Sequence, residues 1–84
     1  MEKNKKKISD FELIRSCLDC FTDIEFIFKD KTYKIDSHCK TVYELKLNTP
    51  EFGFNDYDDL MSLTFLEGIP LNKQILSDDF CIIG

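Results

Sequence analysis

A chain of 84 residues that is 43% hydrophobic, with eight Phe and three Tyr, is too apolar to stay disordered and has room for one domain with one modest core. Its net charge of −5 is uneven: Lys3, Lys5, Lys6 and Lys7 open the chain, whereas from Ile8 onward fifteen acidic residues face seven basic ones. Such acidity argues against a body that binds nucleic acid directly, and fits either a protein partner with a basic surface or simple solubility.

No apolar run approaches the roughly 20 residues that span a bilayer. The basic opening MEKNKKK leads into the mixed segment ISDFELIRS, without the apolar stretch and small-residue cleavage site of an export signal. The expectation is a cytoplasmic protein with no membrane contact: a flexible basic leader over residues 1–7, then a single α+β domain over 8–84. A helix is expected from Asp10 to Phe21. Ser9 and Glu12 have the spacing of a capping box, Ile8 can staple onto Leu13, and Phe11, Ile14, Leu18 and Phe21 recur at helical spacing beside Leu13 and Cys17.

The segment Asp23 to Asp36, DIEFIFKDKTYKID, alternates like a β-hairpin. A two-residue turn at Asp30-Lys31 sets Phe28 opposite Tyr33, Phe26 opposite Ile35 and Ile24 opposite Ser37, with Glu25, Lys29, Thr32, Lys34 and Asp36 on the other face. After a connection of Ser37 to Lys40, a third strand over Thr41 to Leu47 alternates Tyr43, Leu45 and Leu47 inward against Val42, Glu44 and Lys46. The fold expected is a helix packed on a three-stranded antiparallel meander. Beyond Asn48-Thr49-Pro50, residues 51–54 read as extended or turn-like. Asn55 or Asp56 then caps a second, acidic helix of about eight residues, with Asp56, Asp58 and Asp59 in its first turn. Glu67-Gly68 stops it, Pro70 opens a short helical turn through Leu71 and Ile75, and Phe80 to Ile83 forms an apolar edge strand or docked tail.

Chemistry-bearing patterns are few. Cys17 and Cys20 have C-x2-C spacing, with His38-Cys39 and Cys81 downstream, but a helical pair with adjacent downstream ligands is a poor zinc pattern, so no cofactor is expected. A reducing cytosol disfavours disulfides, leaving the cysteines as small hydrophobes, with a zinc- or thiol-dependent regulator using Cys17, Cys20, Cys39 and Cys81 as the alternative. His38 has no nucleophile arranged beside it, and no catalytic residue is expected. The run Asn55 to Asp59 lacks the glycine and glutamate of a calcium loop. A core this small is not expected to enclose a pocket of roughly 300 Å³. By the alternation above, Ile27 and Val42 are aliphatic on an otherwise polar sheet face, where they are candidates for the apolar centre of a partner interface.

The hairpin residues Phe26, Phe28, Lys31, Tyr33 and Ile35, then Asp58 to Leu60, then Leu66 to Leu71 resemble small uncharacterised proteins of low-GC Gram-positive bacteria and their phages. In size, acidity and layout the chain is also similar to phage-encoded inhibitors of bacterial defence, including anti-CRISPR proteins. That likeness is one of style, with no shared motif, and carries over no functional residue. The reading drawn from the residues themselves is a non-enzymatic, acidic protein-binding module, an inhibitor if the likeness holds. The charge distribution and the sheet-face pattern make Asp56, Asp58, Asp59, Glu67, Ile27 and Val42 its candidate contact residues, directed at a basic surface that otherwise holds nucleic acid, and the protein is expected to be a monomer or weak homodimer. A self-associating structural subunit, using an exposed strand edge, is a further alternative.

Overall fold

The structure is a computed structural model that describes residues 2–83, with side chains from Ile8 onward. Helix α1 spans Glu2–Asp19, longer at its start than Asp10, so Ser9 lies well inside it and is not its N-cap. The leader expected over 1–7 lies outside the residues whose side chains are described. From α1, Ile14 is fully buried, with Phe11, Cys17 and Leu18 packed around it. The helix closes on a left-handed cap: Phe21 has φ 54°, and the Thr22 N–H donates to the Cys17 carbonyl at 2.8 Å. This turns Phe21 out of the expected stripe, leaving it 63% exposed. Leu13 and Ile8 are exposed as well.

The strands β1 (Ile24–Phe28), β2 (Lys31–Asp36), β3 (Thr41–Glu44), β4 (Glu51–Gly53) and β5 (Phe80–Ile82) form one antiparallel sheet in the order β4-β3-β2-β1-β5. It contains the expected meander, flanked by a strand on each side. Two helical pieces, α2 (Tyr57–Ser62) and α3 (Leu71–Gln74), lie between β4 and β5 in the chain.

The hairpin register differs from the expected one by two residues. Phe26 pairs with Tyr33, Ile24 with Ile35 and Phe28 with Lys31, so the turn is Lys29-Asp30 and Lys29 takes the positive φ, 57°. A shift of two leaves each side chain on its own face. It also stacks the Phe26 and Tyr33 rings at 5.2 Å and 13°, and releases Ser37 from the ladder. Buried Ser37 then ties the end of α1 to the hairpin: its Oγ donates to the Thr22 carbonyl at 2.7 Å and its N–H to Asp23 Oδ1 at 3.2 Å.

The third strand corrects the expected alternation. Val42 pairs with Ile35 and with Phe52 and is fully buried, whereas Leu45 is exposed and Leu47 is 86% exposed. The strand ends at Glu44 because the chain turns there: Thr49 Oγ1 donates to the Glu44 and Lys46 carbonyls. Tyr43 consequently pairs with Lys34 on the outer face.

The core lies on one face of the sheet. Ile24, Phe26, Phe28, Ile35, Val42 and Phe80 meet Ile14 of α1, Leu60 and Met61 of α2, Leu71 of α3, and the intervening Phe54, Leu66 and Ile75. Arg15 of α1 lies 4.0 Å over the Tyr57 ring of α2, a cation–π contact across the helical layer. Buried Gln74 donates to the Leu66 carbonyl at 3.0 Å, holding the 63–70 connection to α3. On the opposite face Glu25, Ile27, Thr32, Lys34, Asp36, Thr41, Tyr43 and Cys81 are all half-buried or exposed. Among the described residues, no helix is long and apolar enough to cross a membrane.

Candidate functional site

Three of the acidic candidates meet at the start of α2. Asp56 is the N-cap, in extended conformation (φ −152°), and its Oδ1 accepts from the Asp59 N–H at 2.8 Å. Asp59 Oδ2 in turn accepts from the Asn55 N–H at 2.9 Å. The two carboxylates satisfy backbone donors that a helix start leaves open. These bonds fix their direction without neutralising them. Asp56 and Asp58 are exposed and Asp59 is half-buried. Glu67 is differently engaged: its carboxylate pairs with Lys29 Nζ at 2.7 Å across the hairpin tip.

The two aliphatic candidates separate. Val42 is in the core, opposite Ile35, and cannot meet a partner. The four-residue link Ser37–Lys40 pairs Asp36 with Thr41, which turns Val42 inward with Ile35. Ile27 is on the outer face, half-buried, flanked by Thr32 and by Cys81 of β5. The tail therefore extends the sheet beside Ile27.

The cysteines do not converge. Cys17 is on α1, Cys20 past its end, Cys39 in the β2–β3 turn and Cys81 on the outer face of β5. Among the described residues, no three His, Cys, Asp or Glu side chains form a group able to hold a metal ion. Asp36 Oδ1 accepts from the Cys39 N–H at 2.9 Å and the His38 N–H at 3.0 Å. The Cys39 amide is the main cause that holds the Asp36 carboxyl below the usual range. The Asp36 charge pushes the Cys39 thiol up, and burial does the same to Cys17. Both shifts favour the thiol over the thiolate, the reverse of an activated nucleophile. The His38 and Phe21 rings meet edge-to-face, centroids 6.0 Å apart at 72°.

A site without a counterpart in the sequence reading lies on the core side of the sheet, between the β1–β2 turn and the turn at residues 65–67. Here a partly open surface cleft of about 300 Å³ is found. Phe28, Tyr33, Phe65 and Leu66 line it together with the charged Lys29, Asp30, Lys31 and Glu67, and Lys29 Nζ lies 5.5 Å from the Phe28 ring centroid. Phe65 meets Tyr33 edge-on at 5.7 Å and 63°, and stacks with Phe52 at 5.5 Å. A neighbouring recess that includes Glu44 and Phe52 shares Tyr33 and Phe65. Lys29 and Glu67 both have left-handed backbone, φ 57° and 59°. Each residue there without glycine is strained by roughly 1 to 2 kcal/mol.

Tyr33 is the pivot of this site. It is only 8% exposed, and its hydroxyl makes no hydrogen bond to a described residue. No buried polar side-chain atom among the described residues is without a partner, so the hydroxyl is open to solvent. Burial first, then the charges of Glu44 and Glu67, hold its pKa above the ordinary value. The sequence carried one signal for this site. A tyrosine on the buried face of a strand needs a wet or polar end for its hydroxyl.

No family model, curated protein or solved structure matches the chain. The functional reading rests on the surface itself.

Proposed function

We propose that the protein is a non-enzymatic, acidic protein-binding module that covers a basic, nucleic-acid-binding surface of a host protein, in the manner of small inhibitors encoded by phages and mobile elements. The observation that carries this reading is the exposed acidic start of α2. From Leu47 to the end there are seven acidic residues against the single Lys73, and three of the seven, Asp56, Asp58 and Asp59, are grouped in one turn. Two of those are held by reciprocal backbone bonds, so little side-chain freedom remains to be lost on binding. Carboxylates placed in this way steer a basic surface into contact, making association fast and salt-sensitive.

Affinity capture from host lysate with the tagged chain, followed by mass spectrometry, identifies the partner, and the triple variant D56N/D58N/D59N tests the surface. Asparagine retains the N-cap oxygen, so the variant is expected to melt as the native protein does while losing capture of that partner. Undiminished capture would refute the assignment.

One observation favours a second reading, self-association. The edge strand β5 carries no charge and no proline in Phe80–Ile82, and Ile83 beyond it is exposed, so it lacks the usual protection of a sheet edge. Size-exclusion chromatography with light scattering decides this, and a strict monomer counts against it.

A further inference from the structure

We propose that two copies of this chain join edge to edge through β5, antiparallel, with Cys81 facing Cys81 of the second copy, so that the sheet continues across a two-fold axis. Such a dimer gives the self-association reading a register and rests on it. The backbone pattern sets that register. The Ile83 N–H donates to the Glu25 carbonyl at 2.9 Å and the Lys29 N–H to the Asp79 carbonyl at 3.1 Å, with Cys81 opposite Ile27 between them. Residues 79, 81 and 83 therefore direct their backbone groups at β1, whereas Phe80 and Ile82 direct theirs to the open edge. At that edge the Phe80 N–H is held by the Ser77 carbonyl at 3.2 Å, and no loop or side-chain group among the described residues meets the Ile82 N–H. The antiparallel register that pairs all three residues of β5 with a copy of themselves is centred on Cys81. Each Ile82 N–H then donates to the Phe80 carbonyl of the second copy, whose oxygen has two lone pairs. The two Cys81 residues form the non-hydrogen-bonded pair, in which opposed residues come closest, with Cα atoms about 4.5 Å apart.

Three observations select a second copy. The other edge strand, β4, follows Pro50 and begins with Glu51, a proline and a charge of the kind that blunt an edge, whereas Phe80–Ile82 has neither. A copy of β5 thus meets β5 in preference to β4, and the contact closes as a dimer instead of growing as a fibre. On the outer face, Ile27 is aliphatic among polar neighbours and lies directly beside Cys81, with Ile83 49% exposed at the end of the strand. Across the seam the row then runs Ile27, Cys81, followed by Cys81 and Ile27 of the second copy, so apolar neighbours replace water on the open side of each Cys81. Finally, Asp78 and Asp79 of the two copies fall at opposite ends of the seam, and sliding the register toward the start of β5 brings these like charges together. A seam of three residues is far smaller than the roughly 800 Å² per partner of a stable complex, so the dimer forms at high micromolar to millimolar concentration.

The test is sedimentation velocity of the full chain under reducing conditions, from about 10 μM to about 1 mM, where a monomer–dimer equilibrium is expected. The variants C81K and C81E, at an exposed position, are expected to melt as the native chain does and each to weaken the dimer several-fold, because like charges then face each other across the axis. Mixing the two is expected to restore dimerisation, since opposite charges then meet. On the native chain, a short bis-maleimide is expected to link Cys81 to Cys81, identified by mass spectrometry of the peptides, ahead of the exposed Cys20 and Cys39. A dimer that C81K leaves intact, that the mixture fails to restore, or whose cross-links join other cysteines overturns this register while self-association stands. A strict monomer at the highest concentration overturns both. The acidic-surface reading is decided separately, by capture with D56N/D58N/D59N.

Discussion

Replacing Val42 by alanine, beside a control replacement of Leu47, tests which way the third strand faces. Val42 is fully buried between Ile35 and Phe52, whereas Leu47 is 86% exposed. Val42→Ala removes two carbons from a closed site. Transfer alone is worth about 0.8 kcal/mol per carbon, and the cavity left behind raises the total to about 2 to 3 kcal/mol. A chain of this length has roughly 4 to 12 kcal/mol of stability in all, so the loss is large, a fall in Tm of about 10 to 20 °C. Leu47→Ala is expected to stay within about 0.5 kcal/mol. Urea unfolding followed by circular dichroism measures both, with unchanged m-values showing that only stability has moved. If Leu47→Ala were the damaging change and Val42→Ala nearly silent, the strand would face the other way and the reasoning from register would fail.

Three further outcomes are expected. Ser37→Ala leaves the Thr22 carbonyl without its 2.7 Å donor, and guanidinium unfolding should show a loss of about 1 to 2 kcal/mol. Phe21→Gly relieves a left-handed backbone at an exposed helix end, and calorimetry should register a gain of about 0.5 to 1 kcal/mol, net of the lost contact with His38. The Asp36 carboxyl is held below its usual range in the folded state. Its contribution is therefore present above the unfolded value of about 3.9 and is lost as pH falls through the folded value. Urea midpoints measured through this acid range should decline less steeply in Asp36→Asn than in the native chain.

The hairpin was legible because inward and outward residues alternate along both strands, with Ile27 and Lys31 as the exceptions, and a shift of two in register preserves that pattern. The parity of β3 was legible too, although hydrophobicity pointed the wrong way. A four-residue link from Ser37 to Lys40 forces Ile35 to face Val42, yet Leu45 and Leu47, which belong to a loop, outweighed one valine in the alternation. The caps of α2 followed from local chemistry, since Asp56 satisfies a neighbouring donor in its own turn. Strand β4 and the position of β5 were not legible as pairings, because three-residue strands are defined by their neighbours. The aromatic cleft was hidden for a related reason. It joins Tyr33 to Phe65 across distant segments, and Phe65 belongs to no helix or strand whose period could have placed it.

The central claim is that a fixed acidic turn guides this protein onto a basic partner. Its most direct test is the association rate with the captured partner, measured by stopped flow or surface plasmon resonance at about 50 mM and about 500 mM salt, where the screening length shrinks to a few ångströms. A fall of about tenfold or more, reduced in D56N/D58N/D59N, is the result expected of steering by these carboxylates. A rate that changes by less than about twofold over that range, in native chain and variant alike, would contradict it.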